Sequence, residues 1–126
     1  MKDRESSKQP YAQAEIEARL KAELPDWRYA EGQLRRKYRT HGWKATLLAA
    51  GAVAHLAEAA WQHPDLLLTY DSVEVRLSSH DAKGITERDF ALARKIEELL
   101  MWQPGKEDGP FEGTPQAPRH AYLEYS

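Results

Sequence analysis

The spacing of apolar positions along the chain alternates between helical and strand-like stretches. Ala12, Ile16, Leu20 and Leu24 recur every fourth residue and predict a helix over Tyr11 to Leu24, ended by Pro25. Trp27 to Tyr29 and Leu34 to Thr40 then read as two short strands around a Glu31-Gly32 turn. In the second of them Leu34, Arg36 and Tyr38 share one face. Arg35, Lys37 and Arg39 share the other, which makes the hairpin's outer face basic. A longer helical pattern over Thr46 to Trp61 places Leu48, Ala52, Leu56, Ala59 and Ala60 on one face and stops at Pro64. Leu66 to Tyr70 and Val73 to Ser79 form a second strand pair, with Asp71-Ser72 as the turn. Val73, Val75 and Leu77 alternate there with Glu74, Arg76 and Ser78, so one face is buried and one is wet. Thr86 opens the last helix, and Asp89 three residues on suits a variant of the capping box. Phe90, Ala93, Ile96, Leu99 and Leu100 continue that helix as an apolar stripe, which Trp102 and Pro104 close.

The order is thus helix, two strands, helix, two strands, helix. Hairpin connections turn it into an α+β fold, a four-stranded antiparallel sheet with helices packed on one face. Residues 1–10 are polar and are expected to be disordered. Residues 11–102 form the domain, and residues 103–126 form a tail rich in proline and glycine. That tail carries Phe111, Tyr122, Leu123 and Tyr125, more apolar surface than a purely solvated segment needs, so it is expected to pack back on the domain or dock on a partner.

Composition narrows the class. The length of 126 residues fits one domain with a small core. A net charge of −2 argues against a general nucleic-acid binder. The absence of cysteine removes disulfides and thiolate metal sites. No apolar run approaches the roughly 20 residues of a membrane span, and the N-terminus leads into no hydrophobic segment. The expectation is a cytoplasmic protein that engages neither membrane nor nucleic acid.

Polar and titratable residues concentrate at the ends of the predicted elements, in Trp61-Gln62-His63-Pro64, at His80, and in Gly84-Ile85-Thr86-Glu87-Arg88-Asp89. Element ends meet at the rim of a sheet, where pockets form. His63, His80 and Asp89 have metal-ligating chemistry, but no two stand one helical turn apart, so neither a metal nor another cofactor is expected. The bland readings are a dipole-stabilised histidine at a helix end for His63, a solvated turn residue for His80, and a helix cap for Asp89.

The same residues carry a family resemblance. Glu58, three residues, Gln62-His63-Pro64, then Tyr70, His80 and Asp89 follow the spacing of the pterin-4a-carbinolamine dehydratases, over roughly Leu24 to Trp102. The resemblance implies their fold, a homodimer, and a pterin pocket at Gln62, His63, His80 and Asp89. It departs at one position. The family's first histidine, taken there as the principal acid/base group, is Gln62 here, and an amide does not exchange a proton near neutral pH. With the aromatic tail and the basic hairpin, that departure makes the chain most similar to the dehydratase-like proteins of α-carboxysomes. Those are associated with assembly of the carbon-fixing enzyme Rubisco.

The resemblance therefore implies a non-catalytic Rubisco assembly factor, cytoplasmic or carboxysome-associated, with Rubisco subunits as partners. The alternative is an active dehydratase in which His63 and His80 carry the proton transfers. Arg35, Arg36, Lys37 and Arg39, which suit an acidic partner surface or are simply a solvated face, are the candidate partner-binding residues. Trp102, Phe111, Tyr122 and Tyr125 join them as anchors, or else fill a gap on the domain's own surface.

Overall fold

The computed structural model describes residues 6–125. Of the N-terminal stretch expected to be disordered, residues 1–5 lie outside the described residues. Ser6–Lys8 forms a single 3₁₀ turn beside the last helix.

Helix α1 spans Gln13–Glu23, strand β1 Arg28–Ala30, β2 Gln33–Arg39, helix α2 Trp43–Ala60, β3 Asp65–Thr69, β4 Ser72–Leu77 and helix α3 Glu87–Leu100. The order is the one the apolar spacing predicts. All neighbours in the sheet are antiparallel, in the order β1-β2-β4-β3. Each hairpin supplies one edge strand and one central strand, and α2 carries the chain from one hairpin to the other. The first hairpin closes through Glu31 and Gly32, both with positive φ (53° and 76°). This two-residue geometry matches the twist of the flanking strands, and glycine supplies its second position without strain.

Register fixes the two faces of the sheet. On the inner face Leu34 pairs with Leu77, Arg36 with Val75 and Tyr38 with Val73, while Leu66 and Leu68 of β3 continue the last two rows. Ile16, Leu20, Val53, Phe90 and Ile96 of the helices close the core over these rows. Arg36 belongs to this inner face. It is buried, lies over the Tyr38 ring at 4.3 Å and pairs with Glu97 at 3.2 Å. The alternation that set Leu34, Arg36 and Tyr38 together therefore removes Arg36 from the basic outer face and from the exposed partner-binding set.

Helix α2 meets the sheet through a different face from the one its spacing suggested. Ala45, Ala49, Val53 and Ala57 are buried, whereas Leu48 is 62% exposed and Ala59 and Ala60 face solvent. Alanine at the buried positions lets the helix approach the strands closely. The larger Leu48 and the half-buried Ala52 turn toward the C-terminal tail instead.

The tail returns to the sheet. Glu124 N–H donates to Arg39 O (3.0 Å) and His41 N–H to Tyr122 O (2.9 Å), and Leu123, which is buried, bridges antiparallel to Thr40. Because β1 pairs only with residues 33–35 of β2, this contact occupies part of an otherwise open edge. Trp102, Phe111, Tyr122 and Tyr125 all line one open cleft of about 1520 Å³ between the tail and the α2–α3 face.

Candidate active site

The site begins where α2 ends. Trp61 takes the left-handed conformation (φ 54°, ψ 46°), and Gln62 N–H reaches back to Ala57 O at 3.1 Å. That left-handed residue is a common way to close a helix. It leaves Trp61 exposed and turns the next side chain, Gln62, inward until it is 8% exposed.

Two other element ends receive Gln62. Ser79, just beyond β4, is pinned by a backbone bridge to Gly84. Thr86 caps α3 as its sequence predicts, accepting Arg88 N–H at 3.2 Å, while Asp89 Oδ2 accepts Thr86 N–H at 2.9 Å. Gln62 Nε2 donates to Asp89 Oδ1 at 2.7 Å and to Ser79 Oγ at 3.0 Å. Ser79 Oγ–H in turn donates to Asp89 Oδ2 at 2.8 Å and lies 2.8 Å from Thr86 Oγ1. An ionised carboxylate only accepts, so the nitrogen end of the Gln62 amide faces Asp89 and both its N–H groups are engaged. Its carbonyl oxygen is left for a donor from outside.

Asp89 is fully buried. Burial pushes its carboxyl above the ordinary aspartate value, partly offset by hydrogen bonds from Thr86 N–H, Ser79 and Gln62. Capping and holding Gln62 are thus compatible tasks for one side chain.

The two histidines stand outside this network. His63 is exposed, its Nε2 is 2.9 Å from Glu58 Oε1, and its ring meets Trp61 edge-on at 4.8 Å. His80 is exposed on the turn that follows Ser79, and its imidazole has no hydrogen-bond partner among the described residues. Tyr70, the aromatic of the spacing motif, lies beside Gly42 at the opposite end of α2. The structure therefore brings Gln62 and Asp89 into contact, sets His63, next to Gln62, and His80, next to Ser79, on exposed turns, and takes Tyr70 elsewhere. Ser79 and Thr86 complete the network. Sequence reasoning treated the first only as the neighbour of His80 and the second only as a cap.

The arrangement offers a fixed carbonyl acceptor, a carboxylate-paired imidazole and a second free imidazole. Among the described residues no three histidine, cysteine, aspartate or glutamate side chains gather as a metal site. No described helix is long and apolar enough to cross a membrane.

A family model described as pterin 4 alpha carbinolamine dehydratase matches residues 9–99. The chain belongs to this family. It is 43% identical over 77 residues to a "Putative pterin-4-alpha-carbinolamine dehydratase" of Aquifex aeolicus, covering 61% of this chain and 78% of that one. A Chloroflexus aurantiacus protein described in the same words is 42% identical over 89 residues, covering 71% of this chain and 95% of its own. The crystal structure of a transcriptional coactivator/pterin dehydratase from Brucella melitensis superposes with a TM-score of 0.65 at 26% identity, covering 71% of this chain and 97% of that one. The dehydratase family model stops before the tail, so the aromatic cleft is built largely from residues outside the match.

Proposed function

We propose that this protein is a pterin-4a-carbinolamine dehydratase whose proton transfers fall to His63 and His80, with Gln62 positioning the substrate. The observation that carries this reading is the Gln62–Asp89 contact. The first motif position is held by a buried carboxylate, which supports an ordered binding site there. Dehydration of a 4a-hydroxytetrahydropterin takes one proton from N5 and delivers one to the departing 4a-hydroxyl, which leaves as water. An imidazole, whose protonation ordinarily changes near neutral pH, suits both transfers. His63, 2.9 Å from Glu58, suits the acceptance of the N5 proton. His80 suits the hydroxyl. The Gln62 carbonyl accepts a ring N–H without exchanging it. The test is turnover of a 4a-carbinolamine pterin by the wild type, His63→Ala and His80→Ala. Turnover in the wild type that falls in both variants supports the reading, and a wild type no faster than buffer overturns it.

A second reading is a non-catalytic assembly factor for Rubisco in an α-carboxysome setting, acting as a homodimer. It is favoured by an amide at the acid/base position and by a tail that adds an aromatic cleft outside the family match. Coexpression with Rubisco subunits tests it. Unchanged soluble yield together with no binding to the subunits would end it.

A further inference from the structure

The outer face of the sheet, which the dehydratase reading leaves unused, carries a concentration of cations. Arg28 of β1 stands directly opposite Arg35 of β2, and Arg35 directly opposite Arg76 of β4, a row of three arginines across three adjacent strands. Strands lie about 4.8 Å apart, and like charges placed directly opposite each other destabilise a sheet. Lys37 and Arg39 follow on the same face of β2.

The carboxylates near the row are already engaged. Glu74 accepts from Arg76 at 2.9 Å and lies 3.8 Å from Arg35, and Glu31 pairs with Arg35 at 3.1 Å. Asp65 accepts from Gln33 at 3.2 Å. Arg28, Lys37 and Arg39 are exposed and form no ion pair among the described residues. Arg35 Nε is buried without a hydrogen-bond partner. Of the row only Arg28 lacks a carboxylate partner among the described residues, and Lys37 and Arg39 beside it add two more unpaired cations, in a chain whose net charge is −2.

We infer that this face binds an extended acidic peptide segment of a protein partner, laid along β2. Side chains two residues apart on one face of a strand are about 6.8 Å apart, so carboxylates at alternate positions of an extended segment match Lys37 and Arg39 in pitch. Arginine suits carboxylates because it can pair with them through two parallel hydrogen bonds. A nucleic-acid backbone fits less well. Glu74, Asp65 and Glu31 interrupt the cations, so a continuous run of phosphates would meet carboxylates on this face. A second copy of this chain would present the same cations if it docked through the same face.

The probe is a fluorescent ten-residue peptide of alternating glutamate and serine, its anisotropy followed at low and high salt with the full chain. The expected result is saturable binding that weakens with salt, and that weakens at least about tenfold in Lys37→Glu/Arg39→Glu, roughly 1.4 kcal/mol. Circular dichroism melting of the variant shows that it folds. Gln62→His should leave binding unchanged, which separates this surface from the pterin site. No binding by the wild type overturns the proposal, as does equal binding by a folded charge-reversal variant. So does an oligothymidine that binds as tightly as the peptide, or light scattering that finds the face occupied by a second copy.

Discussion

Gln62 and Asp89, 27 residues apart in the chain, meet through a 2.7 Å hydrogen bond in which the amide donates and a fully buried carboxylate accepts. The contact fixes at the end of α2 an amide that hydrogen-bonds but does not exchange a proton near neutral pH.

Replacing Gln62 by histidine should place a proton-exchanging group there. Asp89 and Ser79 are placed to accept an imidazole N–H, which would leave the other ring nitrogen free as a base. Dehydratase turnover in Gln62→His should rise over the wild type, by up to the 10²–10⁴-fold, in order of magnitude, that general acid–base catalysis contributes. Steady-state assays beside the wild type decide this. A folded variant with unchanged turnover would mean that Asp89 serves the α3 cap and no catalytic orientation.

Glu97 anchors the first hairpin to α3. Its Oε1 accepts from Tyr38 OH at 2.6 Å, Trp27 Nε1 at 3.1 Å and Arg36 Nε at 3.2 Å. Burial alone would raise this carboxyl, but hydrogen bonds from Tyr38 and Arg36 bring it below the ordinary glutamate value. Glu97→Ala leaves the buried Arg36 guanidinium with only the Lys37 carbonyl and the more distant Asp26 and should cost about 3 kcal/mol, whereas Tyr38→Phe removes one hydrogen bond and should cost about 1 kcal/mol. Urea denaturation of both variants checks the ranking.

Acid should loosen the clasp between α1 and α3. Burial pushes the Glu87 carboxyl up, yet hydrogen bonds from Arg19, Arg94 and Tyr11 hold it down to about 2, below the ordinary 4.5. A depressed carboxyl contributes stability that is complete above its unfolded value and is lost as pH falls from there toward the folded one. Asp89 acts with the opposite sign. Its raised value favours the fold at low pH and loses that contribution as pH rises through it. Glu87→Gln should therefore show a shallower loss of urea midpoint than the wild type between about pH 4.5 and pH 2.5. Equal slopes would show that the clasp does not depend on the Glu87 charge.

The tail contact should be measurable as stability. Leu123 is buried where the tail meets β2, so Leu123→Ala should cost about 2 kcal/mol, the low end for a truncated leucine, because the site lies at the core's edge. Hydrogen exchange at the His41 and Glu124 amides should quicken in that variant, since both donate across this contact.

The strands and α3 were legible because their apolar periods are clean. Val73, Val75 and Leu77 alternate, and Phe90, Ala93, Ile96 and Leu100 repeat at helical spacing, all of them buried. Helix α2 was legible as a helix but not in its facing. It carries apolar residues nearly all round, and period alone cannot tell that Ala49 and Val53 meet the sheet while Leu48 does not. Motif spacing pointed to Gln62 and Asp89 as neighbours. Their contact depends on the left-handed turn at Trp61, which no propensity rule assigns to a tryptophan. Arg36 was placed on its face by alternation, yet its burial needed Glu97, 61 residues away, as a partner.

The short reach of β1 has a consequence for solubility. Beyond residue 35, β2 has no strand on that side. The Arg36 guanidinium covers the Lys37 carbonyl at 2.9 Å, and the tail covers Arg39 and His41. Without the tail, unpaired amides and carbonyls would face water along a flat strand, a template on which another chain can assemble. Residues 122–124 thus cover a strand edge that would otherwise be open to self-templated aggregation, and a chain lacking the tail should clump before it unfolds.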